Sequence, residues 1–141
     1  MYKKKIFVSF DYENDRHYKF LLSSWNNNPA FEFTFDDRSA KEIQSDSVSV
    51  VKNVLSRKIN EASTVIVIIG KEANKLHRDY REIGYRNWQN YEIAKAKQLG
   101  IKLIAVQINS QYTYPEELLN CNATRVYQFT QEAIIKAIRG Y

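Results

Sequence analysis

The run Thr64-Val65-Ile66-Val67-Ile68-Ile69 is β-branched at every position and apolar at all but the first. A strand with one wet face alternates polar and apolar residues. The absence of that alternation here predicts a strand covered on both faces, the condition of an inner strand of a parallel sheet. Parallel neighbours cannot be joined by hairpins, so the rest of the chain has to supply crossover helices between strands.

It does so in order. Lys5-Ile6-Phe7-Val8-Ser9-Phe10 reads as a first buried strand. Asn14 or Asp15 can cap a helix in which Tyr18, Leu21, Leu22 and Trp25 recur at helical spacing, ended by Asn26-Asn27-Asn28-Pro29. Phe31-Glu32-Phe33-Thr34-Phe35 alternates strictly, as an edge strand does. A Ser45-Asp46-Ser47 capping cluster precedes Val48, Val51, Leu55 and Ile59, a second amphipathic helix. Beyond Gly70 comes a charged connection whose Lys71, Lys75, Arg78, Arg81 and Arg86 offer contacts to phosphates, but Glu72, Asp79 and Glu82 interleave them and the segment reads as a solvated, mobile lid. Ile101 to Ile108 is another inner strand, Arg125 to Phe129 a last short one, and Ile134, Ile135 and Ile138 mark a closing helix from Thr130.

Right-handed crossovers leave few topologies for this alternation. The expected fold is α/β: a flavodoxin-like, doubly wound five-stranded parallel sheet of order 2-1-3-4-5 with helices on both faces. Ligands of such sheets sit at the carboxyl ends of the strands, so Ser9, Phe10, Asp11, the loop from Asp36 to Asp46 and the residues after Ile69 are expected around one crevice.

Length and composition narrow the chemistry. With 141 residues, 44% of them hydrophobic, a single domain over 1–141 is expected. The one cysteine, Cys121, permits no internal disulfide, and the apolar run Ile6 to Phe10 is shorter than a secretory core and far below the roughly 20 residues of a membrane span. A cytoplasmic protein without membrane contact is expected. The net charge of +5 suits an anionic ligand, but the basic residues are scattered among acids, so nucleic acid is not indicated. Four glycines cannot assemble a Walker loop or a dinucleotide fingerprint. His17, His77 and Cys121 match no zinc spacing, so no metal is expected, and both histidines read as solvated. No nucleophile elbow is recognisable. Ile69-Gly70 stands where a receiver domain of this fold would need its phosphate-accepting aspartate.

One helix breaks the pattern. From Trp88 to Leu99, stopped by Gly100, Trp88, Ile93, Ala96 and Leu99 share an apolar arc at about 100° per residue, and Glu92 falls inside it. An ionised carboxylate there costs several kcal/mol unless it is paired or opens onto a polar cleft. Either Glu92 tips to the rim and meets Lys95, or it serves a site. A carboxylate and a cleft suffice for cleaving the N-glycosidic bond to nicotinamide. The leaving group is already a pyridinium and departs neutral, so the carboxylate has only to hold the ribose and stabilise an oxocarbenium-like charge.

Three stretches carry a family resemblance: Lys5-Ile-Phe-Val-Ser-Phe-Asp-Tyr-Glu-Asn-Asp15, Phe33-Thr-Phe-Asp-Asp37 entering the BB loop, and Trp88-Gln-Asn-Tyr-Glu92. In this order the chain resembles a TIR-like domain, of the small stand-alone bacterial kind associated with Thoeris-type anti-phage defence. The resemblance implies that Glu92 is the catalytic carboxylate of an NAD+-cleaving enzyme, with Trp88 beside it. Ser9, Phe10, Asp11, Asp36, Asp37 and Ser45 are then candidates for substrate contact. It further implies NAD+ as substrate with no other cofactor, a cyclic ADP-ribose isomer as product, a separate effector protein reached through that diffusible messenger, and assembly into a homo-oligomer. The first box has Phe10-Asp11 where many TIR domains carry tyrosine and serine, and the BB loop lacks proline and glycine. Two other readings stay open: a non-catalytic TIR-like interaction module, and a nucleoside-processing transferase of the same fold.

Overall fold

The computed structural model of the protein describes residues 4–25, 33–36, 47–119 and 121–140. The strand-forming runs become β1 (Lys4–Ser9), β2 (Phe33–Asp36), β3 (Thr64–Ile69), β4 (Lys102–Gln107) and β5 (Thr124–Val126). All their pairings are parallel, in the order β2-β1-β3-β4-β5. The fold is mixed α/β around a parallel sheet. Every residue of β3 is buried, as its unbroken apolar run requires.

Helices α1 (Tyr12–Trp25), α2 (Val48–Glu61), α3 (Tyr80–Ile83), α4 (Trp88–Leu99) and α5 (Gln131–Arg139) connect and cover the sheet. Alternation along the strands divides the core in two. Ile6, Val8 and Ile66 pack with Leu22 of α1 and with Ile134 and Ile138 of α5. On the other face Phe7, Val65 and Val67 pack with Val51, Leu55 and Ile59 of α2 and with Ile93 and Ala96 of α4. From β1 the chain turns first to β2 on one side and then to β3 on the other, so the carboxyl ends of β1 and β3 flank the point where such sheets open a crevice.

Several local expectations need correction. Helix α1 begins at Tyr12, earlier than a cap at Asn14 or Asp15 allows. Asp11 is the cap: its carboxylate accepts from the Glu13 amide, and its carbonyl accepts from the amides of Asn14 and Asp15. Asp15 is instead buried under the helix. Ser47 caps α2. Strand β5 is three residues long rather than reaching Phe129, whose ring packs on Tyr18 and Trp25 at centroid distances of 5.0 and 5.7 Å. The segment after Gly70 exposes Lys71, Lys75, Arg78 and Arg81, as its charge requires, but it is anchored rather than a loose lid. It buries Ala73 and Ile83, forms α3, and is tied to the start of α4. The Asn87 side-chain amide donates to the carbonyls of Ala73 and Lys75, and Arg86 donates to that of Asn74. Among the described residues no helix is long and apolar enough to cross a membrane.

Candidate active site

Helix α4 is positioned by both its ends. The Asn87 side chain accepts from the Asn90 amide at the start, and Gly100 closes the helix in the left-handed conformation at φ 68°. Between these caps the helix packs against β1, β3, β4, α2 and the turn at 116–118, so Gln89 through Ala94 are all buried.

Glu92 lies in this buried stretch, 3% exposed. It does not reach out to Lys95. The Ser9 hydroxyl, at the end of β1, donates to its Oε1 at 2.6 Å. Burial pushes the Glu92 carboxyl up to about 8, against a smaller opposing effect of the Ser9 bond. One turn earlier, the Gln89 amide donates to the carbonyls of Ser9 and Ile68, at 3.3 and 3.0 Å. Those carbonyls lie at the carboxyl ends of β1 and β3, at the last residue of one and the penultimate residue of the other, so α4 is seated at the point where the strand order reverses.

A cavity of about 490 Å³ opens there between the β1–α1 connection, the segment 72–78 and the first turns of α4. Glu92, Trp88, Phe10 and Asp11 all line it. Trp88 stands edge-on to Tyr91, with ring centroids 5.7 Å apart, and to His77 at 6.5 Å. Phe10 is mostly core, 4% exposed, and Asp11 lines the cavity while capping α1. Ser9 lies beneath Glu92 and outside the lining, so its contact is with the carboxylate. Asp36 ends β2. Asp37 and Ser45 lie outside the described residues.

Sequence reasoning missed Gln89, Asn87 and His77 as cavity residues. Gln89 and Asn87 carried a weak signal, polar side chains flanking a tryptophan at a helix start. No spacing marks His77. Its Nδ1 accepts from the Asp79 amide at 3.0 Å, a local turn that holds the ring at the cavity edge. Among the described residues no group of His, Cys, Asp and Glu gathers to hold a metal ion.

What the geometry provides is a buried carboxyl with one hydroxyl partner at the floor of an open cleft walled by aromatic and polar side chains. A carboxyl so placed can accept a positively charged or hydroxyl-bearing group where it is shielded from most solvent.

No curated protein matches the chain. Among solved structures, a 2-desoxiribosyltransferase from Leishmania mexicana is similar over 98% of this chain and 99% of its own, with a TM-score of 0.60 and 10% identity. At that identity the likeness is one of fold. A family model described as "Thoeris protein ThsB, TIR-like domain" matches residues 7–113, a span that holds Ser9, Glu92 and the whole cavity lining. The chain therefore belongs to the Thoeris ThsB TIR-like domain family, which places it among TIR-like proteins of anti-phage defence.

Proposed function

We propose that this protein cleaves NAD+ at the bond between nicotinamide and ribose, with Glu92 as the catalytic carboxylate. The observation that carries this reading is the burial of Glu92 at the cavity floor with Ser9 as its hydrogen-bond donor. As the glycosidic bond breaks, its electron pair goes to the pyridinium nitrogen and nicotinamide leaves neutral. The ribosyl carbon becomes oxocarbenium-like, and Glu92 stabilises that charge. A free carboxyl held near 8 is largely protonated at neutral pH. The arriving pyridinium favours the ionised form, so the negative charge is drawn out where the cation is bound.

In this reading the reaction needs no metal or further cofactor. Capture of the ribosyl cation by a nucleophile of the same molecule gives a cyclic ADP-ribose isomer, and capture by water gives ADP-ribose. The cyclic product fits a cytoplasmic messenger system in which a separate effector protein reads the signal. The chain then acts as one flavodoxin-like domain, assembled as a homo-oligomer when active. Trp88 and Phe10 line the nicotinamide-ribose end, and Asp11, Asp36, Asp37 and Ser45 are the remaining substrate-side candidates.

The fold likeness to a desoxiribosyltransferase motivates a second reading, in which Glu92 attacks a deoxyribonucleoside as a covalent nucleophile. Parallel incubations with NAD+ and with a pair of 2′-deoxyribonucleoside and free base separate the two. Nicotinamide release with no base exchange supports the NAD+ reading. Base exchange with no nicotinamide release overturns it in favour of the transferase.

A further inference from the structure

The cavity is electrically divided. On the side of the β1–α1 connection its lining carries the carboxylates of Asp11 and Glu13, and Glu92 closes the floor. On the facing side it carries Lys75, His77 and Arg78, with one acid, Glu72, among them. Arg78 is 90% exposed, and its contact with Asp79, 3.8 Å from Nε to Oδ2, is the kind of surface pair that contributes little. Most of its guanidinium fork remains open to a ligand.

His77 adds a directed donor to that side. Because Nδ1 accepts the Asp79 amide, the ring hydrogen of the neutral imidazole resides on Nε2. The adjoining first turn of α4 contributes in the same sense. The amides of a helix's first turn have no intrahelical acceptor, and Asn87 satisfies that of Asn90 while Trp88 and Gln89 line the cavity.

We infer that Lys75, His77 and Arg78 form a subsite for the diphosphate of a nucleotide. The inference rests on the reading of the same cavity as the NAD+ site and adds an orientation to it. The anionic middle of the ligand lies along the 75–78 wall, and its cationic ribosyl end lies over Glu92. The opposing acids disfavour the reversed pose, because a diphosphate beside Asp11 and Glu13 meets like charge on that side.

The test uses ADP and adenosine as probes, titrated into the wild-type protein and into a Lys75→Ala/Arg78→Ala double variant, with binding followed by calorimetry at two salt concentrations. Both substituted side chains are exposed, and a circular dichroism melt verifies the fold of the variant. The subsite predicts that ADP binds wild type more tightly than adenosine does. It also predicts a tenfold or greater loss of ADP affinity in the variant, a flatter salt dependence there, and equal adenosine responses in the two proteins. Equal ADP affinity in the two proteins, equal affinity of wild type for ADP and adenosine, or no ADP binding by wild type overturns it. If nicotinamide release fails while the ADP difference holds, the reading of Glu92 falls and the subsite stands. If release occurs and the ADP difference is absent, the subsite alone falls.

Discussion

Helices α2 and α4 pack side by side on one face of the sheet, and they bury different chemistry. Helix α2 buries only the apolar Val51, Leu55 and Ile59. Helix α4 buries Ile93, Ala94 and Ala96, but also Gln89, Asn90 and Glu92. Each of those polar groups has directed partners. Gln89 meets two strand-end carbonyls, and Glu92 meets Ser9. Asn90 donates to the side chains of Asn74 and Asn87 and accepts from the Glu117 amide. The helices are joined where Tyr91 and Ser56 share a hydrogen bond of 2.7 Å. Apolar area tolerates small shifts, whereas hydrogen bonds fix a position to a few tenths of an ångström. Helix α2 therefore serves stability, and α4 serves placement.

The largest expected effect lies on the α2 side. Leu55 is fully buried, and Leu55→Ala removes its methyl groups from the middle of the core. A loss of about 2–5 kcal/mol in denaturant unfolding is expected, with the proposed NAD+-cleaving activity of the folded fraction within about twofold of wild type. A comparable drop in specific activity of fully folded protein would break the division of labour between the two helices.

Glu92→Gln sharpens the same comparison by moving stability the other way. A carboxyl near 8 in the fold and near its ordinary value when unfolded holds its proton longer in the native state. The stability this contributes is fully present below about pH 4.5 and is lost as pH rises toward 8. Glutamine does not ionise and keeps an acceptor for Ser9. The variant is expected to match wild type near pH 5 and to exceed it by about 2–4 kcal/mol at pH 9. A variant less stable than wild type at pH 9 would contradict an uncompensated burial of the carboxylate.

The smallest effect concerns the second buried carboxylate. Asp15 has been pushed up to about 6 by burial and by the neighbouring Asp11 charge, and its Oδ2 has no hydrogen-bond partner among the described residues. Its side chain fills the space beside Gly70, where an added Cβ would fall 1.9 Å from Oδ2. Gly70→Ala should cost about 1–3 kcal/mol in wild type. In an Asp15→Ala background the cost should fall by at least about 0.5 kcal/mol. Strict additivity of the two changes would show that the glycine serves some other need.

Glu92 was legible in the sequence because a carboxylate inside an apolar arc violates the helical pattern, and Trp88 four residues earlier gave it a family context. The strands were legible because runs such as 64–69 have no other comfortable environment. Asp11 was harder to place. Asp11, Asn14 and Asp15 are all good caps, and only the packing of α1 on the sheet decides which one starts the helix. The exposure of Lys71, Lys75, Arg78 and Arg81 followed from the charged sequence of 71–87, but its anchoring comes from backbone carbonyls that accept from Asn87 and Arg86. Such bonds leave no compositional trace. His77 entered the cavity wall by the same kind of contact.

The role proposed for Glu92 is to break the nicotinamide bond of NAD+. Chromatography with mass detection of NAD+ incubated with wild type and with Glu92→Gln, each alone and in lysate of phage-infected cells to supply a trigger, tests it most directly. Nicotinamide release by wild type is expected to fall by at least a hundredfold in the variant, with a partner product of cyclic or hydrolysed ADP-ribose mass. Equal release by both proteins, or no release by wild type in either setting, would contradict it.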